Sequence, residues 1–270
     1  MRGMFGLVAV GLLLLAGQPL LAGSFTYADF SSLTGLTLVG NAAQVGSDVR
    51  LTPATNGQVG AMWYSTPIPL AGGFTSYFDF RITGGASHAD GLAFVIQTAG
   101  TSTIGGAGGS LGYSGLVNTL AVEFDTYDNS GWEPPGTPAG NHVAVHSCGT
   151  GANSVSYPSC GLAADDPTPY NMWDGAVYRV TVSYTPGTFT VNSLLADINY
   201  TLDLSTLLNL LPGGQAYIGF TAATGGLNET HDIVSWHTEW SEGGVIPEPS
   251  TTALLGAGLL ALGALWRRRR

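Results

Sequence analysis

The sequence predicts an all-β fold, a sandwich of two antiparallel sheets, on three observations. Apolar and polar residues alternate at period two through much of the chain, glycine clusters punctuate the alternating runs, and no βαβ rhythm is present. Of the 270 residues, 44% are hydrophobic, 10% are charged and 40 are Gly. That is enough apolar material for a packed core, and about twice the ordinary glycine share of roughly 7%.

The chain opens on a targeting segment. Arg2 precedes an apolar run from Phe5 to Ala16, then Gln18-Pro19 and Leu21-Ala22-Gly23. A basic start, a short apolar stretch and small residues at a cleavage point predict a secretory signal over residues 1–23. An uncleaved anchor is the alternative, but the run is shorter than the roughly 20 residues that span a bilayer. No Cys follows it, which excludes lipoprotein processing.

Residues 24–246 read as one domain without linker or internal repeat. Ser76, Phe78, Phe80 and Ile82 fall on one strand face, and Thr75, Tyr77, Asp79 and Arg81 on the other. Leu92, Phe94 and Ile96 alternate with Ala93, Val95 and Gln97, and Tyr178, Val180, Val182 and Tyr184 with Arg179, Thr181 and Ser183. Val234, Trp236, Thr238 and Trp240 predict a last strand. Turn signals separate these runs at Gly72-Gly73, Gly84-Gly85, Gly105 to Gly109, Pro186-Gly187 and Pro212-Gly213-Gly214. The one helix-like patch, Leu202 to Leu211, is short. By alternation, Phe78, Phe80, Phe94, Phe124 and Trp236 are core residues.

The charge balance excludes a nucleic-acid partner. The chain has no Lys, and between Ser24 and Ile246 only Arg50, Arg81 and Arg179 face seventeen of the eighteen acids. Such a surface repels phosphate backbones. Two Cys exclude a Cys-only zinc site.

At the other end, Pro247-Glu-Pro-Ser leads into the apolar stretch Ala253 to Trp266 and a cluster of four Arg. Fourteen helical residues reach only about 21 Å, short for a stable span. The order of motif, apolar segment and Arg cluster resembles the PEP-CTERM sorting signal over residues 247–270. The resemblance implies transient inner-membrane anchoring, processing by an exosortase-type enzyme, and delivery to the cell surface or beyond. A permanent single-pass anchor would also leave the domain outside. Export puts Cys148 and Cys160, twelve residues apart, in an oxidising compartment where they are expected to pair.

The informative segment is Ala121-Val-Glu-Phe-Asp-Thr-Tyr-Asp-Asn-Ser-Gly-Trp-Glu-Pro, followed by Gly140-Asn-His-Val-Ala-Val. Leu120, Val122 and Phe124 take one strand face; Glu123, Asp125 and Tyr127 take the other. Two carboxylates two residues apart on a strand sit about 7 Å apart between Cα atoms and repel if unpaired. No Lys exists and no Arg is near in sequence, so a divalent cation is the simplest remedy. Asn129 and Glu133 add oxygen donors for Ca²⁺, and His142 adds an imidazole suited to Mn²⁺ or another transition metal.

From Ser24 to Trp240 the chain resembles the legume-type (L-type) lectins. The resemblance rests on Phe78-Asp-Phe, His88-Ala-Asp-Gly-Leu-Ala-Phe-Val-Ile, Gly108-Gly-Ser-Leu-Gly-Tyr, Ala121 to Asn129, Asn141-His-Val, Gly219-Phe-Thr-Ala-Ala-Thr-Gly and His231-Asp-Ile-Val-Ser-Trp, in the family's order. It implies a concanavalin A-like jelly roll that binds carbohydrate, or an exopolysaccharide, beside one Ca²⁺ and one transition metal. Asp125 would bridge both ions. The Tyr127 carbonyl, Asn129 and Glu133 would complete the Ca²⁺ set, and Glu123, Glu133 and His142 would join Asp125 on the second ion. The chain departs from the family in having Glu133 for the usual Asp, and in a longer, proline-rich gap from Glu133 to His142.

The resemblance also implies a sugar site. Asp90 would accept from two hydroxyls after a cis Ala89–Asp90 peptide, the Gly109 N–H would donate, and Asn129 would give its amide. Tyr127 is the first candidate stacking surface and Trp132 the second, because saccharides offer apolar C–H faces to aromatic rings. Leu227 and Asn228, in the loop from Gly225 to His231, would tune specificity. His88 and His231 read as structural or rim residues, and the sequons at Asn199 and Asn228 as bare.

Two other functions compete. Glu123-Phe-Asp-Thr-Tyr-Asp resembles the Glu-x-Asp-x-x-Glu strand of laminarinase-like glycoside hydrolases, which need two carboxyls about 5 Å apart; here the last position is Asp128. A structural or adhesive matrix protein with a decayed sugar site is the other. The expectation is a lectin and no enzyme; a homo-oligomer stays open.

Overall fold

The computed structural model describes residues 21–84, 87–138 and 140–241. Nearly all of the predicted leader and the whole sorting tail lie outside these residues. In chain order the strands begin β1 (Leu21–Tyr27), β2 (Leu36–Gly40), β3 (Ala43–Val45), β4 (Asp48–Thr52), β5 (Val59–Tyr64), β6 (Ile68–Pro69), β7 (Phe74–Thr83) and β8 (Gly91–Gln97). They continue as β9 (Thr119–Asp125), β10 (His142–His146), β11 (Gly161–Asp165), β12 (Asp174–Thr185), β13 (Thr188–Ser193), β14 (Asp197–Tyr200), β15 (Gln215–Ala223) and β16 (Thr230–Ser241). The first three residues of β1 fall within the segment read as leader, and pair with the end of β16.

Two eight-stranded sheets result. The back sheet runs β14-β13-β12-β7-β16-β4-β3 with β1 on β16, and the front sheet runs β11-β10-β9-β8-β15-β5-β2 with β6 on β15. All the pairings are antiparallel, as the alternation predicts. In β7 the predicted face, Ser76, Phe78, Phe80 and Ile82, is buried, and Tyr178, Val180, Val182 and Tyr184 of β12 face the same core. Phe78, Phe94, Phe220 and Trp236 meet edge-on or stacked between the sheets, with centroids 4.8 to 5.7 Å apart along that chain of rings.

Two details differ from strict alternation. The register of β16 shifts between Ile233 and Ser235, so Ile233 takes the core position and Val234 is only half-buried. Such a bulge adds one residue to a strand and reverses the faces beyond it. The front sheet, moreover, is covered on both sides. A second apolar cluster of Ala61, Trp63, Ala93, Val95, Leu111, Tyr113 and Ala121 packs on the face away from the main core, so β8, β9 and β10 are buried along their whole length. The carboxylates of β9 therefore lie under cover.

Helix is scarce. One turn, α1 (Tyr157–Cys160), precedes β11, and another, α2 (Leu204–Leu207), forms inside the predicted patch, where the Asp203 side chain accepts from the Ser205 N–H at 2.9 Å. Among the described residues no helix is long and apolar enough to cross a membrane.

Candidate functional site

Register builds the first half of the site. Asp125 pairs with His142 and Glu123 with Ala144 across β9 and β10, so Glu123, Asp125 and His142 share the covered face. One ligand atom from each lies within 4.8 Å of the others, and all three residues are buried. His142 Nε2 is 3.1 Å from Glu123 Oε1. The Tyr113 hydroxyl donates to Glu123 Oε2 at 2.5 Å. Asp125 Oδ1 accepts from the Tyr127 N–H at 2.8 Å, which turns the chain out of β9.

Glu133 arrives from the other side of the imidazole. Its Oε2 is 3.1 Å from His142 Nδ1 but off the line of a hydrogen bond, and its Oε1 and Oε2 accept from the Asn129 and Gly140 N–H groups at 2.9 and 3.3 Å. The sequence expectation grouped Glu133 with Glu123, Asp125 and His142. In the structure it meets only the far ring nitrogen, because the longer Glu side chain is tied back to its own loop.

The electrostatics follow from burial. Burial pushes Asp125 well above the usual carboxylate range, against a downward pull from His142. Burial also acts to raise Glu123, but His146 and His142 outweigh it and hold that carboxyl low. Burial acts to lower His142, and the adjoining Glu123 and Glu133 carboxylates, with Asp125 near, overcome it and raise the imidazole to about 10. Negative charge packed this densely without Lys or Arg needs a cation, either protons or a metal.

The second half is a small cradle. Asp90 follows a cis Ala89–Asp90 peptide, and its backbone is tied on both sides: its N–H donates to the Ala223 carbonyl at 3.1 Å, and its carbonyl accepts from the Thr126 N–H at 3.0 Å. Its carboxylate faces two glycines, Gly225 and Gly108: a Cβ at Gly225 would stand 3.0 Å from Asp90 Oδ2 and one at Gly108 4.0 Å away, while one at the adjacent Gly109 would run into the Asn129 side chain. Glycine is what leaves this space open. Asp90 Oδ2 and Asn129 Oδ1 are both buried without a hydrogen-bond partner, and burial raises the Asp90 carboxyl to about 6. Orphaned buried oxygens of this kind call for a partner, whether water, ion or ligand.

Around the cradle, Tyr127, Trp132 and Leu227 are exposed at 36%, 42% and 36%. Trp132 sits in the turn after Asn129, with its N–H on the Asn129 carbonyl at 3.1 Å. Asn228 is half-buried and donates to Asn56 Oδ1 at 2.5 Å. His231 is fully buried, with Nε2 3.0 Å from Glu229 Oε1. His88 is half-buried and stacks on Trp173 at 3.7 Å. Cys148 and Cys160 form a disulfide, with Cα atoms 5.0 Å apart.

Three residues escaped the sequence reading. Asn56 holds the loop from Gly225 to His231 through the Gly226 carbonyl at 2.9 Å as well as through Asn228. Tyr113 caps Glu123 from the second apolar cluster. His146 places Nε2 2.9 Å from Glu123 Oε1. Its signal was present in the sequence, since residues 142 and 146 share a strand face at period two.

The legume lectin beta-barrel domain profile matches residues 26–235, and the PEP-CTERM protein-sorting motif matches residues 245–270. Lectin DB58 of Vigna unguiculata subsp. cylindrica is 31% identical, over 85% of this chain and 86% of its own length. The lectin of Pisum sativum is 30% identical, over 81% and 84%. Among solved structures, the Bauhinia forficata lectin in complex with GalNAc superposes with a TM-score of 0.68 at 24% identity, covering 82% of this chain and 99% of that one. Basic winged bean lectin with Tn-antigen gives 0.66 at 26%, with the same coverage of 82% and 99%.

Proposed function

The chain belongs to the legume lectin beta-barrel domain family, and on that premise we propose that it is an exported, metal-dependent lectin whose cradle of Asp90, Gly109 and Asn129 holds a saccharide. The observation that carries this reading is that two orphaned, buried oxygens, Asp90 Oδ2 and Asn129 Oδ1, stand against the Gly108–Gly109 backbone, where any side chain would crowd them. Asp90 accepts from sugar hydroxyls and the Gly109 N–H donates. Asn129 gives its amide, Tyr127 or Trp132 covers the apolar sugar face, and Leu227 and Asn228 border the ligand.

The donor chemistry fits the two ions expected of this fold. The Tyr127 carbonyl, Asn129, Asp125 and Glu133 offer the hard oxygens that Ca²⁺ takes. Glu123, Asp125 and His142 form the mixed oxygen and nitrogen set of a transition-metal ion such as Mn²⁺, with Glu133 adjoining. Bound metal supplies a fixed positive charge that holds these oxygens in place. Asn129, shared between ion and sugar, is the residue that couples the two.

The chain is not an enzyme: its family and relatives are lectins. The hydrolase reading also lacks its dyad, since Asp128 is exposed in the loop whereas Glu123 is enclosed by Tyr113 and two imidazoles. The sorting motif supports export and processing by an exosortase-type enzyme, and the lectin family supports a carbohydrate or exopolysaccharide partner there. A glycan array that includes GalNAc-terminated chains, probed with the full chain with and without Ca²⁺, tests the reading. Signal is expected only with metal, and Asp90→Ala is expected to abolish it while the thermal melt shifts by less than about 5 °C. Equal binding by Asp90→Ala would place the sugar elsewhere.

A further inference from the structure

His146 is fully buried on β10, two strand positions beyond Ala144 and on the same face as His142. Because Ala144 stands opposite Glu123, the two imidazoles flank that carboxylate from either side. Both reach the same oxygen: His142 Nε2 at 3.1 Å and His146 Nε2 at 2.9 Å from Glu123 Oε1. The other oxygen, Oε2, is occupied by the Tyr113 hydroxyl.

The far nitrogen of His146 decides what the near one can do. Nδ1 is 3.0 Å from the Ser154 carbonyl, which only accepts, so Nδ1 carries the ring proton. In the neutral ring Nε2 then presents a lone pair to a carboxylate oxygen, and the contact is not aligned as a hydrogen bond. Two lone-pair bearers this close, both shielded from water, repel unless a cation lies between them. An imidazole whose second nitrogen is pinned by a backbone carbonyl is the usual arrangement of a metal-ligating histidine.

We propose that His146 is a second imidazole donor of the transition-metal centre built on Glu123 and His142, and that the centre favours a borderline ion such as Zn²⁺ over Mn²⁺. The inference rests on reading Glu123, Asp125 and His142 as metal ligands. Each added imidazole in place of an oxygen donor moves a site toward the later first-row metals.

Copper(II) at one equivalent, added to metal-stripped full chain with Ca²⁺ present, gives a nitrogen hyperfine pattern that counts bound imidazoles without any mutation. Two are expected, and only a large excess of Zn²⁺ is expected to displace them, because Cu²⁺ binds such donors more tightly. In His146→Gln the count falls to one, and Zn²⁺ affinity drops at least about tenfold while Mn²⁺ affinity changes by less than about threefold. One imidazole in the unmutated chain, or equal Zn²⁺ loss and Mn²⁺ loss in the variant, would overturn the role of His146 and leave the lectin reading standing. No uptake of any of the three ions would overturn both.

Discussion

Asp90 shows how one side chain can set opposing demands. Burial raises its carboxyl to about 6 in the metal-free protein, above the ordinary value of about 3.9. A carboxyl raised on folding favours the protonated native state, so its stabilising contribution is present below the unfolded value and is lost as pH rises through 6. Sugar binding needs the ionised acceptor and runs the other way. With saturating metal, affinity is expected to fall about tenfold per pH unit below the Asp90 value, measured by titration calorimetry; a flat profile from pH 7 to 4.5 would contradict it. Gly109→Ala should weaken sugar binding at least about tenfold, because the new methyl displaces Asn129. That Asp90, Gly109 and Asn129 belong to one candidate site was legible in the sequence, because each sits in a motif of the resemblance. For His146 only the face shared with His142 was legible; its meaning depends on which strand lies beside it and on a carbonyl eight residues away in sequence.

At the level of strands, period-two alternation located β7, β8, β9 and β12, and it failed where the backbone itself departs from period two. The bulge in β16 moved Val234 off the core face, and nothing in the residues around it announces an extra position. The burial of the acidic face of β9 was equally hidden, since it comes from Trp63, Leu111 and Tyr113, all remote in sequence. The disulfide is an element-scale device. Cys148 follows β10 and Cys160 precedes β11, and these strands pair with one another, with Val143 opposite Asp165 and Ala144 opposite Ala164. Closing a loop of this length contributes about 3 kcal/mol. The double substitution Cys148→Ser, Cys160→Ser should cost about 2–4 kcal/mol in urea unfolding, and it should weaken metal uptake, because β10 carries both His142 and His146. Unchanged stability would show that the ladder alone holds β11.

For the molecule as a whole, the proposed metal dependence makes folding and ion capture one equilibrium. Any ion that binds only the native state adds about 2.7 kcal/mol at a hundredfold excess over its dissociation constant. Excess chelator should therefore lower the melting temperature by several degrees, as scanning calorimetry would show; an unaltered transition would argue against a captured ion. The metal-free state substitutes protons for that ion. His142 is raised to about 10 by its carboxylate neighbours, despite burial; its stabilising contribution is complete below about 6.5 and disappears as pH climbs through 10. A ligating imidazole must shed its proton, so metal uptake at pH 7 should release about one proton per site. Calorimetry in buffers of different ionisation enthalpy would measure that release, and none at all would mean that His142 is already neutral.

The first strand carries a mechanical consequence. Leu21 of β1 lies directly across from Ser241 of β16, so the polypeptide enters and leaves the sandwich at a single corner. Whatever grips either end suspends the domain from that one point, like a lantern on a hook.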